Sequence, residues 1–379
     1  MARSNRTSIR PAPNTSTSAL LEQAFKNKRV LVTGHTGFKG SWLCSWLTRL
    51  GADVTGYALP PATKLNLFET LNLAKKMRHI VGDVRDLSSL FKALQESKAD
   101  YVFHLAAQPL VRSSYKDPKT TFDTNVGGTV NVFEALRAFD KARVFINVTS
   151  DKCYDNREWI WGYRENDPMG GHDPYSASKG CAELVFAAYQ KSFFSPERAK
   201  EHGLGLASVR AGNVIGGGDW AQDRIVPDCI RALSENKRPG IRNPSAIRPW
   251  QHVLEPLGGY LKLAANLYYD PVANAGAWNF GPLADNCRTV RDVASSVVAT
   301  WGRGGWDDLS EKQGNAVHEA HFLRLSCEKA MSVLRWKPVW DFDATMRLTT
   351  EWYKTFYQNK SAAAALCDEQ ITAYMNAVK

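Results

Sequence analysis

Tyr175 and Lys179 stand four residues apart in Asp173-Pro174-Tyr175-Ser176-Ala177-Ser178-Lys179, at the start of a helical stretch. That spacing puts both side chains on one helix face. An ammonium beside a phenol favours the phenolate and lowers its pKa from about 10. Such a phenol takes the proton of a substrate alcohol as the alcohol's hydride departs. A second cluster, Thr149-Ser150-Asp151-Lys152-Cys153-Tyr154, closes an apolar run. Ser150 offers a hydroxyl to the oxygen that Tyr175 deprotonates, and Asp151 and Lys152 add an acid and an amine beside it.

A departing hydride needs an acceptor. Gly34-His35-Thr36-Gly37-Phe38-Lys39-Gly40 lies between the β-branched run Arg29–Thr33 and a helical pattern from Gly40 to Leu50. A strand-to-helix turn of this kind uses one glycine for positive φ and another where a pyrophosphate approaches the backbone. The helix that follows presents unpaired N–H groups to the phosphates. The spacing is GxxGxxG, not the commoner GxGxxG. Gly82-Asp83-Val84 follows a later strand, where the Asp83 carboxylate can accept from an adenine amine. The second strand ends Gly56-Tyr57-Ala58-Leu59, without the acid that binds a ribose 2′-hydroxyl, so this position does not separate NAD from NADP.

These groups must be held by a frame. Short apolar runs at 29–33, 54–57, 79–83, 101–105 and 144–148 alternate with helical patterns at 40–50, 87–96 and Phe122–Phe139. Alternation of this kind predicts an α/β fold, a doubly wound parallel sheet of the Rossmann type. The strands are apolar nearly throughout, as a sheet covered on both faces requires. Beyond residue 208 the pattern loosens around Gly216-Gly217-Gly218 and five prolines. The expected division is a dinucleotide-binding domain over 25–207 and a smaller, partly interleaved substrate domain over 208–360. A helix or tail is expected over 361–379.

Residues 1–24 are expected to be a disordered tail. Arg3, Arg6 and Arg10 stand there among Ser, Thr, Asn and Pro, and the first acid is Glu22. A start codon placed too far upstream gives the same composition, and an organellar transit segment is the alternative. The net charge of +10 fits a field for an anionic small molecule, because no Lys/Arg stripe between aromatic platforms suggests nucleic acid. Seven cysteines without a CxxC pair read as reduced thiols in a cytoplasmic protein, not as disulfides or a metal site. No run is long and apolar enough to cross a bilayer, so no membrane partner is expected.

The glycine turn, the Ser-Tyr-Lys set and Asp151-Lys152 together resemble the extended short-chain dehydrogenase/reductase superfamily and, within it, the CDP-glucose 4,6-dehydratases. Related dehydratases carry Asp-Glu where this sequence has Asp151-Lys152. The similarity extends to Gly37-Phe38-Lys39-Gly40-Ser41-Trp42, His104-Leu105-Ala106-Ala107-Gln108-Pro109 and Trp159-Ile160-Trp161-Gly162-Tyr163-Arg164-Glu165-Asn166. It continues through Arg210-Ala211-Gly212-Asn213-Val214-Ile215-Gly216-Gly217-Gly218-Asp219-Trp220, and overall covers roughly 26–355.

The resemblance implies bound NAD, contacted by the glycine turn, Asp83, Val84, Leu105, Ala106, Ala107, Tyr175 and Lys179. It implies a CDP-hexose substrate, met by Gln108, Asn213, Val214, Arg224 and Arg248. Tyr175 would take the O4 proton while NAD accepts the C4 hydride, Asp151 would be the acid at the C6 hydroxyl, and Lys152, as a neutral amine, the base at C5. Trp159, Trp161 and Trp220 would line the sugar and base pockets in part, or pack the core. A homodimer or homotetramer would pair Phe122–Phe139 and Ala177–Gln190. A nucleotide-sugar 4-epimerase, a dehydratase for another nucleotide, and a non-enzymatic NAD-sensing protein are the alternatives. The resemblance also implies a place in deoxysugar biosynthesis for O-antigen lipopolysaccharide.

Overall fold

The computed structural model of the protein describes residues 15–312 and 322–378. Seven strands form one sheet: β1 (Arg29–Thr33), β2 (Asp53–Ala58), β3 (Arg78–Val81), β4 (Tyr101–His104), β5 (Val144–Val148), β6 (Gly205–Arg210) and β7 (Gly276–Asn279). Their spatial order is β7-β6-β5-β4-β1-β2-β3. Every pairing is parallel, with Val32 opposite Phe103 and Ile146 opposite Ala207. The order reverses beside β1 and β4, which opens a crevice at their carboxyl ends where ligands of such sheets bind. Thr33 and His104, the last residues of these two strands, are buried and bond to each other at 2.7 Å.

Two apolar cores cover the sheet. One contains Val30, Trp42, Trp46, Ile146, Leu257 and Trp278, and the other contains Leu31, Leu94, Val102, Phe133, Phe145 and Phe186. Neighbouring residues of one strand, such as Val30 and Leu31, therefore feed opposite faces. This accounts for strands without polar alternation.

The expected 207/208 boundary falls within β6, a continuous buried strand, so no linker exists there. Chain from beyond that point returns to the sheet as β7. The rest of the second lobe stands over the crevice and is built on short pairings. Val214–Ile215 runs parallel to Gln251–His252, and Ile247–Pro249 runs antiparallel to Cys287–Thr289. Residues Lys360–Ala377 are helical.

The expectation of a disordered tail to residue 24 is corrected. Thr17–Phe25 forms a helix, capped by Ser16, that buries Leu21, Ala24 and Phe25. Its apolar spacing matches one helix face, and Tyr101 donates to the Ala24 carbonyl at 3.0 Å. Residues 1–14, with Arg3, Arg6 and Arg10, lie outside the described residues. The helix expected over Phe122–Phe139 starts earlier, at Pro118, where Asp117 caps it. A π-turn at Asp123–Gly127 interrupts it before Gly128–Ala138.

Glu255 is the most isolated acid of the large core. It accepts from the Val339 and Trp340 amides at 3.1 and 2.8 Å and from the Tyr374 hydroxyl at 3.2 Å. Burial pushes its carboxyl up to about 7, against those hydrogen bonds. A raised carboxyl favours the protonated native state below the unfolded value, and that contribution is lost as pH climbs through about 7. Glu255→Gln keeps an acceptor for both amides and cannot ionise. Its melting temperature relative to the parent is therefore expected to rise between about pH 5 and about pH 8. Parallel thermal melts at the two pH values check this.

Candidate active site

The turn after β1 leads straight into the helix Phe38–Arg49, with Gly37 as its N-cap. The three glycines have different duties. Gly34 takes φ +75°, and a Cβ there would lie 2.6 Å from the Ala106 backbone nitrogen. A Cβ on Gly40 would lie 2.2 Å from the Gly34 carbonyl oxygen. Both are therefore needed for backbone packing. Gly37 is the exposed one, and it presents the helix end to the crevice.

The crevice is a single cleft of about 1500 Å³ running from the glycine turn to the second lobe. A drug-sized ligand fills roughly 300–1,000 Å³, so this cleft admits two large ligands end to end. At its centre Asp173 caps the helix Pro174–Ser192 by accepting from the Ser176 amide at 2.9 Å, with Pro174 in the first turn. The Tyr175 amide donates to Ser114 Oγ at 3.1 Å. These bonds fix the helix start, and Tyr175 and Lys179 both face the cleft.

Ser150 ends β5's run and caps the single turn Asp151–Cys153, accepting from the Lys152 amide at 3.3 Å. Its hydroxyl donates to Asp151 Oδ1 at 2.9 Å, and the Tyr175 side chain lines the same cleft. The Asp151 carboxylate lies against the bare Cα of Gly212, where a Cβ would come within 1.8 Å of Oδ2. Lys152 lines the cleft beside it. The sequence-predicted hydroxyl, acid, amine and phenol are thus brought to one place.

The family model described as GDP-mannose 4,6 dehydratase matches residues 31–349. The chain belongs to that dehydratase family. It is 50% identical over 356 residues to the CDP-glucose 4,6-dehydratase of Salmonella typhimurium, covering 93% of this chain and 98% of that one. Two of the solved structures that share its fold hold NAD. One is the dTDP-glucose 4,6-dehydratase of Bacillus anthracis in complex with NAD, with a TM-score of 0.71, 19% identity, and 88% and 99% of the two chains covered. The other is the UDP-glucose 4-epimerase of Thermus thermophilus in complex with NAD, with a TM-score of 0.72, 24% identity, and 86% and 99% covered.

Within this dehydratase the titrations depart from the simple expectation for the Tyr-Lys pair. Burial pushes the Tyr175 phenol up to about 12, and the Ser150 hydroxyl opposes that only in part. Lys179 directs its ammonium to the Val148 carbonyl at 3.5 Å, and burial lowers it to about 8 against the pull of Glu183. The resting phenol is therefore neutral, contrary to the phenolate expected from spacing alone. The reason is that desolvation outweighs a cation that points elsewhere.

Several cofactor and substrate expectations are redrawn. Thr36, Phe38, Lys39, Val84, Leu105, Ala106 and Ala107 line the cleft. The His35 ring does not: it packs against Gly56 and Phe68 and bonds His79 at 2.7 Å, so only its backbone belongs to the turn. Asp83 reaches the cleft, but its carboxylate already holds the Arg85 guanidinium at 2.5 Å, which competes with any adenine amine. Gln108 does not line the cleft. Its amide bonds Leu110 and Thr121, and its backbone bonds Asn125 of the π-turn. It shapes the loop after β4.

Asn213, Val214, Arg224 and Arg248 all line the cleft, and Asn213 takes φ +50°. Arg224 also pairs with Asp219 at 2.6 Å. Trp159 stacks on Tyr163, Trp220 packs on Trp352 and Phe356, and Trp161 is exposed. None of the three lines the cleft, whereas Trp250 does.

The ion pair beneath Lys179 escaped the sequence reading altogether. Lys39 is expected at the cofactor as part of the glycine turn, and its side chain reaches the catalytic floor, 3.4 Å from the Tyr260 hydroxyl. Burial lowers its ammonium to about 7, with Asp151 pulling the other way and Lys179 and Arg224 adding to the fall. Beneath Lys179, one turn along the same helix, Glu183 forms a buried ion pair with Arg210 at 2.8 Å. Glu183 also accepts from Thr149 and from Ser208, the latter at 2.7 Å, while Arg210 donates to the Tyr154 hydroxyl at 2.6 Å. A carboxylate eight residues after Tyr175 on the same helix face was the available signal for this pair.

Removing one member of a buried pair strands the other charge, which costs about 3–5 kcal/mol. Glu183→Ala is expected to lose that much stability in urea melts. The double variant Glu183→Ala/Arg210→Met is expected to recover part of the loss, since both charges leave together.

Proposed function

We propose that this enzyme is a NAD-dependent CDP-glucose 4,6-dehydratase, a hydro-lyase that converts CDP-D-glucose to CDP-4-dehydro-6-deoxy-D-glucose. The observation that carries the reading is that Tyr175, Ser150, Asp151 and Lys152 line one part of the cleft, with Ser150 donating to Asp151 Oδ1 at 2.9 Å. The phenol and hydroxyl serve oxidation of an alcohol and the acid and amine serve an elimination, and a 4-epimerase needs only the former. The cytidine is supported by the 50% identity to the Salmonella enzyme over nearly the full length of both chains.

The residues fit a dinucleotide. Gly37 leaves the helix N-terminus open to a pyrophosphate, and Gly82, Val84 and Ala106 leave a smooth wall beside it. The lining after β2 is Ala58, Leu59, Pro60 and Ala62, which offers no cation to a 2′-phosphate and favours NAD over NADP. When bound there, NAD would supply the hydride acceptor for C4 and the hydride donor for C6. On the second lobe Arg224, Lys237, Arg238, Arg242 and Arg248 line the cleft. A row of cations there draws in and orients the substrate's diphosphate.

Tyr175, once its phenol has given up its own proton, takes the O4 proton as C4 is oxidised. The resulting ketone acidifies the C5 hydrogen, and Lys152, which lines the cleft beside Asp151, is the base that removes it. Asp151 donates to the C6 hydroxyl, which departs as water. Lys179 holds positive charge near the cofactor end of the site, anchored by the Val148 carbonyl and by Glu183 below it.

Assembly as a homodimer through the helices 118–138 and 174–192 fits the exposed Leu184 and Phe122 on them. A homotetramer extends the same pairing. Among the described residues no helix is long and apolar enough to cross a membrane. All seven cysteines are free thiols, as a reducing cytoplasm would keep them.

Incubation with CDP-, dTDP-, UDP- and GDP-glucose, followed by product mass, tests the assignment. CDP-glucose is expected to lose one water, and a product of unchanged mass would mean epimerisation. Lys152→Ala is expected to slow C5 exchange with deuterated solvent by about 100-fold or more, the usual weight of a positioned base. Exchange at the parent rate would remove Lys152 from that role.

A further inference from the structure

In the open part of the cleft, Asp223 stands between two arginines that come from different lobes. Arg112 belongs to the helix Val111–Lys116 that follows β4, in the first lobe, and its Nη1 lies 3.3 Å from Asp223 Oδ1. Arg242, in the second lobe, donates to the same oxygen from Nη2 at 3.4 Å. All three residues line the cleft, and their side chains are half exposed.

The backbones that carry them are fixed. Ser114, two residues after Arg112, accepts from the Tyr175 amide at 3.1 Å, so the first of these helices rests on the catalytic one. Arg242 follows Gly240–Ile241, which pairs with Asp307–Asp308. Asp223 takes φ +60°, a left-handed conformation that aspartate and asparagine tolerate better than most side chains. What can move is the side chains. Glu183 and Arg210, buried together, cannot part without stranding a charge, whereas a half-exposed carboxylate keeps water within reach and gains little from its partner. Two guanidiniums share this one carboxylate, which leaves positive charge in excess. A diphosphate carries more charge than Asp223, and its oxygens match the guanidinium fork. It therefore competes well for both arginines.

We propose that Asp223 is an internal counterion that the ligand's diphosphate displaces, so that Arg112 and Arg242 pass from the carboxylate to the phosphates and clasp the ligand from both lobes. The identity of that ligand, a CDP-hexose, rests on the dehydratase reading. Arg112 thereby becomes a substrate-binding residue supplied by the first lobe. Asp223 sets a limit on affinity, because its return to the arginines favours departure of a product that carries the same diphosphate as the substrate.

Calorimetric binding of CDP and of cytidine to the NAD-loaded enzyme, at one fixed ionic strength, tests the exchange. Asp223→Asn removes the charge and keeps a residue that accepts the left-handed backbone. It is expected to tighten CDP about fivefold, mainly through slower dissociation, and to leave cytidine, which has no phosphate, unchanged. Arg112→Gln is expected to weaken CDP about threefold in the parent and about tenfold in the Asp223→Asn background, where the arginine gives up no partner to reach the phosphates.

Unchanged or weaker CDP binding in Asp223→Asn would overturn the exchange, because a carboxylate that only positions the arginines costs affinity when it is lost. An Arg112→Gln loss that is equal or smaller in the Asp223→Asn background would overturn it as well, and so would equal tightening of cytidine. Failure of the dehydratase reading shows separately, as no loss of water from CDP-glucose by the unaltered chain.

Discussion

The buried pair of Glu183 and Arg210 is the constraint on which the catalytic geometry depends. Glu183 lies on the helix that carries Tyr175 and Lys179, and Arg210 is the last residue of β6. Burial alone would raise the Glu183 carboxyl, yet the guanidinium, Thr149 and Ser208 hold it below the ordinary range. Arg210 in turn reaches Tyr154 and the Glu165 carbonyl, and Asn279 at the end of β7 accepts from Tyr154. The ends of β5, β6 and β7 are therefore tied to one helix by charge-assisted bonds in a dry interior. In such a place each bond is strong, and each missing partner is costly. The axial position of Tyr175 relative to Ser150 follows from this tie and from the Asp173 cap at the other end.

Above that tie, small residues decide what can approach. Gly212 lets the Asp151 carboxylate sit against the backbone, Gly34 and Gly40 let the first turn close, and Gly37 alone is left open for a phosphate. The same sequence pattern thus serves packing at most positions and binding at one. Burial then sets the protonation states. Tyr175 is pushed up while Lys39 and Lys179 are pulled down, so the site rests with fewer charges than its residue list suggests. A redox step followed by an elimination requires protons to move between groups of this kind without a large electrostatic penalty. Near-neutral partners in a low-dielectric cleft meet that requirement.

The second lobe contributes differently. Its short strands give little rigidity of their own. They are held by insertions into the first lobe, such as the Trp42 indole on the Gly217 carbonyl at 2.9 Å and Gln251 on the Gly212 and Phe280 carbonyls. The terminal helices clamp the rear of the same core. Phe25 packs on Tyr101 and Phe103, and Tyr374 packs on Trp46 and Trp340. The helices Thr17–Phe25 and Lys360–Ala377 are therefore structural, and the lobe boundary is a set of contacts, not a linker.

Local pattern was enough to determine the alternating frame, the strand-to-helix glycine turn and the helix face shared by Tyr175 and Lys179. Each depends on residues within a few positions of one another, where steric preference and periodicity act directly. It also determined that Ser150, Asp151 and Lys152 emerge together at a strand end. What it did not determine was direction and partnership across the fold. The His35 ring turns into the core and Gln108 turns into its own loop, while Lys39 enters the catalytic floor and Trp250 lines the cleft in place of the expected tryptophans. The meeting of Tyr175 with Ser150 and Asp151 in one cleft and the Glu183–Arg210 tie arise between segments far apart in the chain. Only tertiary packing decided these, because desolvation and hydrogen-bond geometry depend on which distant groups a side chain meets.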